Sequence, residues 1–154
     1  MITLYHGTHE HSLPAIRTGM INGGLFDGIF AGTERDIALS HAPSVFEIDV
    51  PADRIASSFD LAQADHEAIR ATLQRETGAD DADLLDELYD AVTSDTPDAD
   101  DFVGRIGTRS FADEFAATSW ELQRLRGRIA ADLGYLAVEM DDEHGTSYLV
   151  LGIA

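Results

Sequence analysis

Runs with strand character lie only near the two ends of this chain, and a long stretch of helical periodicity separates them. Thr3 to His6, Ile29 to Ala31 and Val45 to Val50 read as strands at one end; Tyr135 to Met140 and Thr146 to Ile153 read as strands at the other. A chain of alternating strands and helices would build a parallel sheet. This pattern instead predicts an α+β fold, in which terminal strands meet in one core and a helical block over residues 52–118 sits between them. No repeat or interdomain linker interrupts it, so a single domain over 1–154 is expected, with the acidic region around Pro97 as its most flexible part.

Local signals set the expected boundaries. Ser12 can cap a helix from Leu13 to Thr18, with Pro14 in its first turn and Gly19 as its stop. Thr33-Glu-Arg-Asp36 is a capping-box variant that opens a helix through His41. In the middle block Ile69 and Leu73 share one helical face, and Leu84, Leu85, Leu88 and Val92 share another after an Asp-rich start. Phe102, Ile106, Phe111 and Phe115 continue in shorter pieces. Thr118-Ser-Trp-Glu121 reads as a capping box for a helix that buries Leu122, Leu125, Ile129 and Leu133 and ends at Gly134. The last two strands would then pair antiparallel across the acidic turn at Asp141, Asp142 and Glu143.

Composition narrows the chemistry. The chain has no cysteine, which excludes disulfides, cysteine nucleophiles and thiolate metal sites. No run is long and apolar enough for a membrane span and none resembles a signal peptide, so a cytoplasmic location is expected. Acidic residues outnumber basic ones by 29 to 10, for a net charge of -19, and every basic residue is Arg. Such a field repels nucleic acid and favours basic partners; a solubility or salt adaptation accounts for the same numbers.

Four places can carry chemistry. His6-Gly7-Thr8 follows a strand, where a ring donor beside exposed backbone groups could grip a carboxamide and a sugar hydroxyl together; a partly buried His before a turn is the plain alternative. His9 and His11 lie near it without a companion carboxylate motif, and no metal site is expected. In Gly23-Gly24-Leu-Phe-Asp-Gly28 and Ile29-Phe30-Ala31, aromatics beside glycines could stack on a flat ring or simply pack in the core. No phosphate-binding Gly-Lys signature exists, and Ser40-His41 lacks the elbow of a serine hydrolase. The carboxylates 141–143 repel one another, so they form either a solvated turn or a place where negative charge is used, as on a sugar cation.

Taken together, Tyr5-His6-Gly7-Thr8, the glycine–aromatic segment and a late acidic strand resemble the layout of ADP-ribosyltransferases of the diphtheria-toxin and poly-ADP-ribose polymerase type. Gly24-Leu-Phe26, Ala38-Leu-Ser-His41, Trp120-Glu-Leu-Gln-Arg-Leu-Arg-Gly127, Leu133-Gly-Tyr135, Val138-Glu-Met140 and Asp142-Glu-His-Gly-Thr146 further resemble the phage anti-CRISPR ADP-ribosyltransferases that act on type I-F systems. The resemblance implies a small ADP-ribosyltransferase fold, two small antiparallel sheets forming an NAD cleft, and NAD as co-substrate. It implies mono-ADP-ribosylation, inside the bacterial host cell, of the surveillance-complex subunit that reads the protospacer-adjacent motif, with no direct contact to nucleic acid or membrane. Carried over by position, Asp142 is the catalytic acid, with Asp141 and Glu143 as alternatives, and His6 holds the nicotinamide ribose. Tyr5, Gly7 and Thr8 belong to the same cofactor-binding segment, Gly7 and Thr8 lining the nicotinamide, and Phe26 or Phe30 packs on a ring. Residues 52–118 depart from the family's pattern, which leaves room for a toxin with another target. The charge of -19 also suits a non-enzymatic acidic inhibitor that imitates nucleic acid and blocks a basic groove.

Overall fold

The computed structural model describes residues 1–18, 24–95, 98–142 and 145–153, apart from the side chain of Asp142. Glu143, His144, Gly23 and Pro97 therefore lie outside the described residues. The elements are β1 (Ile2–Thr8), β2 (Ile29–Ala31), α1 (Arg35–His41), β3 (Ser44–Val50), β4 (Ile55–Ala56), α2 (Ser58–Gln63), α3 (His66–Thr77), α4 (Ala82–Ser94), α5 (Glu114–Asp132), β5 (Ala137–Asp142) and β6 (Gly145–Val150).

Strands β1 and β3 form an antiparallel pair, and β2, β6, β5 and β4 form a four-stranded sheet in that order. The four-stranded sheet is mixed, because β4 pairs parallel to β5 at Ile55↔Ala137 and Ala56↔Val138. Two residues of strand inside a helical stretch leave no periodicity to read, which is why two purely antiparallel sheets were expected. Neighbouring residues of this sheet bury on opposite faces, as strand alternation requires. Val138, Met140 and Leu149 face the helices and pack with Leu122, Leu125 and Ile129 of α5, Leu84, Leu85, Leu88 and Val92 of α4, and Ile69 and Leu73 of α3. Ala137 and Val150 face the other way, against Leu4, Ile48 and Val50 of the β1–β3 pair. The result is a layer of helices, a middle sheet apolar on both faces, and a second small sheet. Each fully buried Leu or Ile of this core contributes about 1.5–3 kcal/mol.

Caps define the helices more than the expected boxes do. Asp113 caps α5 by accepting from the Ala116 N–H at 3.1 Å, five residues before Thr118. The Thr118–Glu121 box is therefore internal to the helix, and both residues are buried there. Gly134 follows at φ 93 and turns the chain into β5. Asp81 caps α4 through the Asp83 and Leu84 amides at 2.8 and 3.1 Å, as the Asp-rich start predicts. Glu34, not Thr33, is the N-cap of α1, and it makes no side-chain cap. Residues 13–18 form no helix. Leu13 and Ile16 instead pack as irregular chain against the β1–β3 core.

Candidate active site

A cleft of about 440 Å³ opens where β1, β2, α1 and β6 meet, lined by Tyr5, His6, Gly7, Phe30 to Glu34, Ile37, Ala38, His41, Thr146 and Ser147. Its volume falls in the range of small-molecule and cofactor sites. β1 is tied to the segment after β2 by two backbone bonds, Tyr5 N–H to Gly32 O at 2.8 Å and Gly32 N–H to Tyr5 O at 3.0 Å. On the opposite side α1 lies directly on Gly7. A Cβ at Gly7 would stand 2.4 Å from the Ala38 carbonyl oxygen, so the close approach needs a residue without a side chain.

His6 is fixed within this wall. Its Nδ1 lies 2.6 Å from the Phe30 carbonyl oxygen. A carbonyl can only accept, so Nδ1 carries the hydrogen, and in the neutral ring Nε2 is left as an acceptor. Phe30 packs edge-on against Phe26, with ring centroids 4.8 Å apart and planes at 81°. Phe26 itself leans on the helical core and stands behind the cleft rather than in its wall. Thr8 is also outside the lining; its Oγ accepts from the Glu10 N–H at 3.1 Å. Tyr5, His6, Gly7 and Phe30 are thus brought together, and Thr8 and Phe26 are not lining residues.

The acidic segment is strand rather than turn. Asp141 pairs with Thr146 and Asp142 with Gly145, so both extend β5 instead of forming the connection to β6. Thr146 and Ser147, opposite Asp141 and Met140, line the cleft, and Asp142 stands one register step beyond them, opposite Gly145.

Sequence reading missed the part played by α1. Glu34, Ile37, Ala38 and His41 all line the cleft. Their spacing of three, four and seven is one helical stripe, a signal present in the sequence but mixed in polarity. It also missed an ionic cluster centred on the buried Arg124. Arg124, with a side chain only 2% exposed, pairs with Asp27 at 3.2 Å, Glu76 at 3.0 Å and Glu121. Arg109 reaches Asp27 at 2.7 Å, and Arg75 and Arg128 join Glu76 and Asp132. Burial works against the Arg124 charge, but the hydrogen bonds and charges of Glu121 and Glu76 outweigh it and hold the guanidinium protonated. Asp27 stands at φ 55 three residues before Phe30, so the cluster anchors the loop that supplies the His6 partner.

The family described as "Anti-CRISPR Type I-F ADP-ribosyltransferase AcrIF11" matches residues 2–154, almost the whole chain. The chain belongs to this family. A solved structure described as "Crystal structure of an anti-CRISPR protein" is similar to it with a TM-score of 0.65 and 31% identity, over 97% of this chain and 88% of that one. No curated protein matches the chain. As a type I-F anti-CRISPR ADP-ribosyltransferase it is a transferase, of a class that takes ADP-ribose from NAD, and the mixed α+β architecture agrees with that membership. An anti-CRISPR protein acts on a component of a CRISPR system. Among the described residues no helix is long and apolar enough to cross a membrane, and no group of His, Asp and Glu is placed to hold a metal ion.

Proposed function

We propose that this transferase binds NAD with its nicotinamide end in the cleft at His6 and Gly7, and transfers ADP-ribose to a side chain of the type I-F surveillance subunit that reads the protospacer-adjacent motif. The observation that carries the reading is the His6–Phe30 bond in the cleft wall. It leaves Nε2 as an acceptor for a ribose hydroxyl, while Tyr5 and Phe30 offer aromatic surface to a flat ring.

In this reading the bond between nicotinamide and ribose breaks and its electron pair leaves on the nicotinamide nitrogen, which becomes neutral. Positive charge grows on the ribose, and the Asp142 carboxylate stabilises it. The acceptor then bonds to the ribose carbon and gives up its proton. A single oriented charged group of this kind contributes about 3 kcal/mol to a transition state. Asp142→Asn is therefore expected to lower transfer about 100- to 1000-fold with the fold intact, and His6→Ala to weaken NAD binding. Unchanged turnover in the first variant would hand the role to Asp141 or Glu143; unchanged affinity in the second would remove His6 from the site.

The test is the intact mass of a purified type I-F surveillance complex after incubation with the protein, with and without NAD. A gain of one ADP-ribose unit on the expected subunit, dependent on NAD and lost in Asp142→Asn, supports both chemistry and target. NAD consumption without that gain sends the search to another target. The charge of -19 favours a second reading, a non-catalytic acidic blocker of a basic groove. Inhibition of the complex without NAD, falling steeply with salt, would support that reading instead.

A further inference from the structure

Along a strand, alternate residues turn their N–H and C=O groups to opposite sides. β5 pairs with β6 over its whole length, from Ala137↔Val150 to Asp142↔Gly145, but with β4 only at Ala137 and Val138. Beyond Val138 no strand lies along its outer edge among the described residues. Glu139 and Asp141 turn their backbone groups to that edge, and side chains take the Glu139 carbonyl and the Asp141 N–H. Arg126 Nε donates to Glu139 O at 2.9 Å, and an Asp95 carboxylate oxygen accepts from the Asp141 N–H at 2.6 Å. The two side chains substitute for a missing strand.

Both are anchored in the helical block. The Arg126 side chain, 1% exposed, also donates to the Val92 and Thr93 carbonyls at 2.8 Å each and to Ser58 Oγ at 3.0 Å. Those carbonyls belong to the last turn of α4, whose C-cap is Asp95. Asp95 holds a left-handed conformation at φ 57, ψ 33, which suits Gly or Asn better. A plain C-cap in that conformation needs no carboxylate. The Asp141 amide does need an acceptor, and this one comes from 46 residues away in sequence.

We infer that Asp95 is a positioning residue for the transfer reaction: its carboxylate stands in for a neighbouring strand at Asp141 and fixes the backbone that carries Asp142. The inference rests on the proposed role of Asp142. Without the bond, the last two residues of β5 are held from the β6 side alone, next to the connection between the strands. A displacement of about 1 Å at a reacting group costs about 100-fold in rate.

Two substitutions separate positioning from plain structure. Asp95→Gly keeps the left-handed backbone comfortable and removes the acceptor, whereas Asp95→Asn keeps an acceptor oxygen. The measurements are kcat and KM for NAD in the presence of purified surveillance complex, amide hydrogen exchange at Asp141, and Tm. Asp95→Gly is expected to lower kcat by about 10- to 100-fold, leave KM for NAD near its wild-type value and speed exchange at Asp141. Because it also takes a carboxylate from 3.9 Å of the buried Arg126, Tm falls as well, and by a similar amount in Asp95→Asn, which loses the same charge. Asp95→Asn is expected to retain most of kcat. Wild-type kcat in Asp95→Gly, or a loss matched by a fall in folded fraction with Asp141 exchange unchanged, would overturn the inference. Asp142→Asn run in parallel keeps the two claims apart. If it is inactive while Asp95→Gly is fully active, only the positioning role fails; if it keeps full turnover, the reading of Asp142 fails and the positioning role falls with it.

Discussion

Replacing Arg124 by Met takes one positive charge from a cluster of four arginines, Arg75, Arg109, Arg124 and Arg128, and four carboxylates, Asp27, Glu76, Glu121 and Asp132. The consequences for its three partners differ. Asp27 keeps Arg109 at 2.7 Å and Glu76 keeps Arg75 and Arg128 at 3.2 and 3.3 Å. Glu121, with a side chain 6% exposed, is left without an ion pair among the described residues. Breaking a buried ion pair on one side costs about 3–5 kcal/mol, because the remaining charge stays desolvated. For a chain of this size each kcal/mol moves Tm by about 2–4 °C, so the variant should melt about 10 °C below wild type. The loss depends on pH in a defined direction. Burial pushes the Glu76 carboxyl up, but the hydrogen bond and charge of Arg124, with Arg75 and Arg128, outweigh it and hold the group below its ordinary 4.5. A carboxyl depressed by folding stabilises the fold above that value, and the contribution is lost as pH falls through the folded value. Wild type therefore weakens in acid, while Glu76 of the variant, without Arg124, takes up its proton more easily and the variant weakens less. Urea unfolding of both proteins from about pH 7 down to about pH 3 should show the gap closing below the ordinary Glu76 value of 4.5. Adding Glu121→Leu to the variant should recover part of the loss by removing the stranded charge. A loss under about 1 kcal/mol at neutral pH, or a gap that widens in acid, would refute the reasoning.

Gly7→Ala places a Cβ against the Ala38 carbonyl and must push α1 outward from the cleft. Steady-state kinetics should show KM for NAD raised about tenfold, or roughly 1.4 kcal/mol, and an unchanged KM would mean that α1 does not shape the site. Gly127→Ala would ordinarily strengthen a helix by about 1 kcal/mol. Here the new Cβ meets Leu149 Cδ2 at 2.7 Å inside the core, so thermal melts should show a net loss of about 1–3 kcal/mol with KM for NAD unaffected. A stabilised Gly127→Ala would show that β6 yields more readily than its packing implies.

Some of this protein is determined locally and was legible as such. The apolar stripe of α5, the runs that became β1, β3, β5 and β6, and the Asp cap of α4 follow from period and capping chemistry within a few residues. So did the family, because long motifs at both ends carried the resemblance that the match over residues 2–154 bears out. The features that organise the site are decided at long range. Arg124 and Arg126 share a helix with solvated-looking charges, yet partners as distant as Asp27 and the α4 terminus draw both into the core. The cleft needs β1, α1 and β6 side by side, and the bond in its wall from His6 to Phe30 spans 24 residues, while the bond from Asp95 to the outer edge of β5 at Asp141 spans 46. Local propensity says where backbone groups can bond to near neighbours. Which charge a buried Arg meets, or which side chain completes an unpaired strand edge, is settled only when desolvation makes an unsatisfied group too costly to leave.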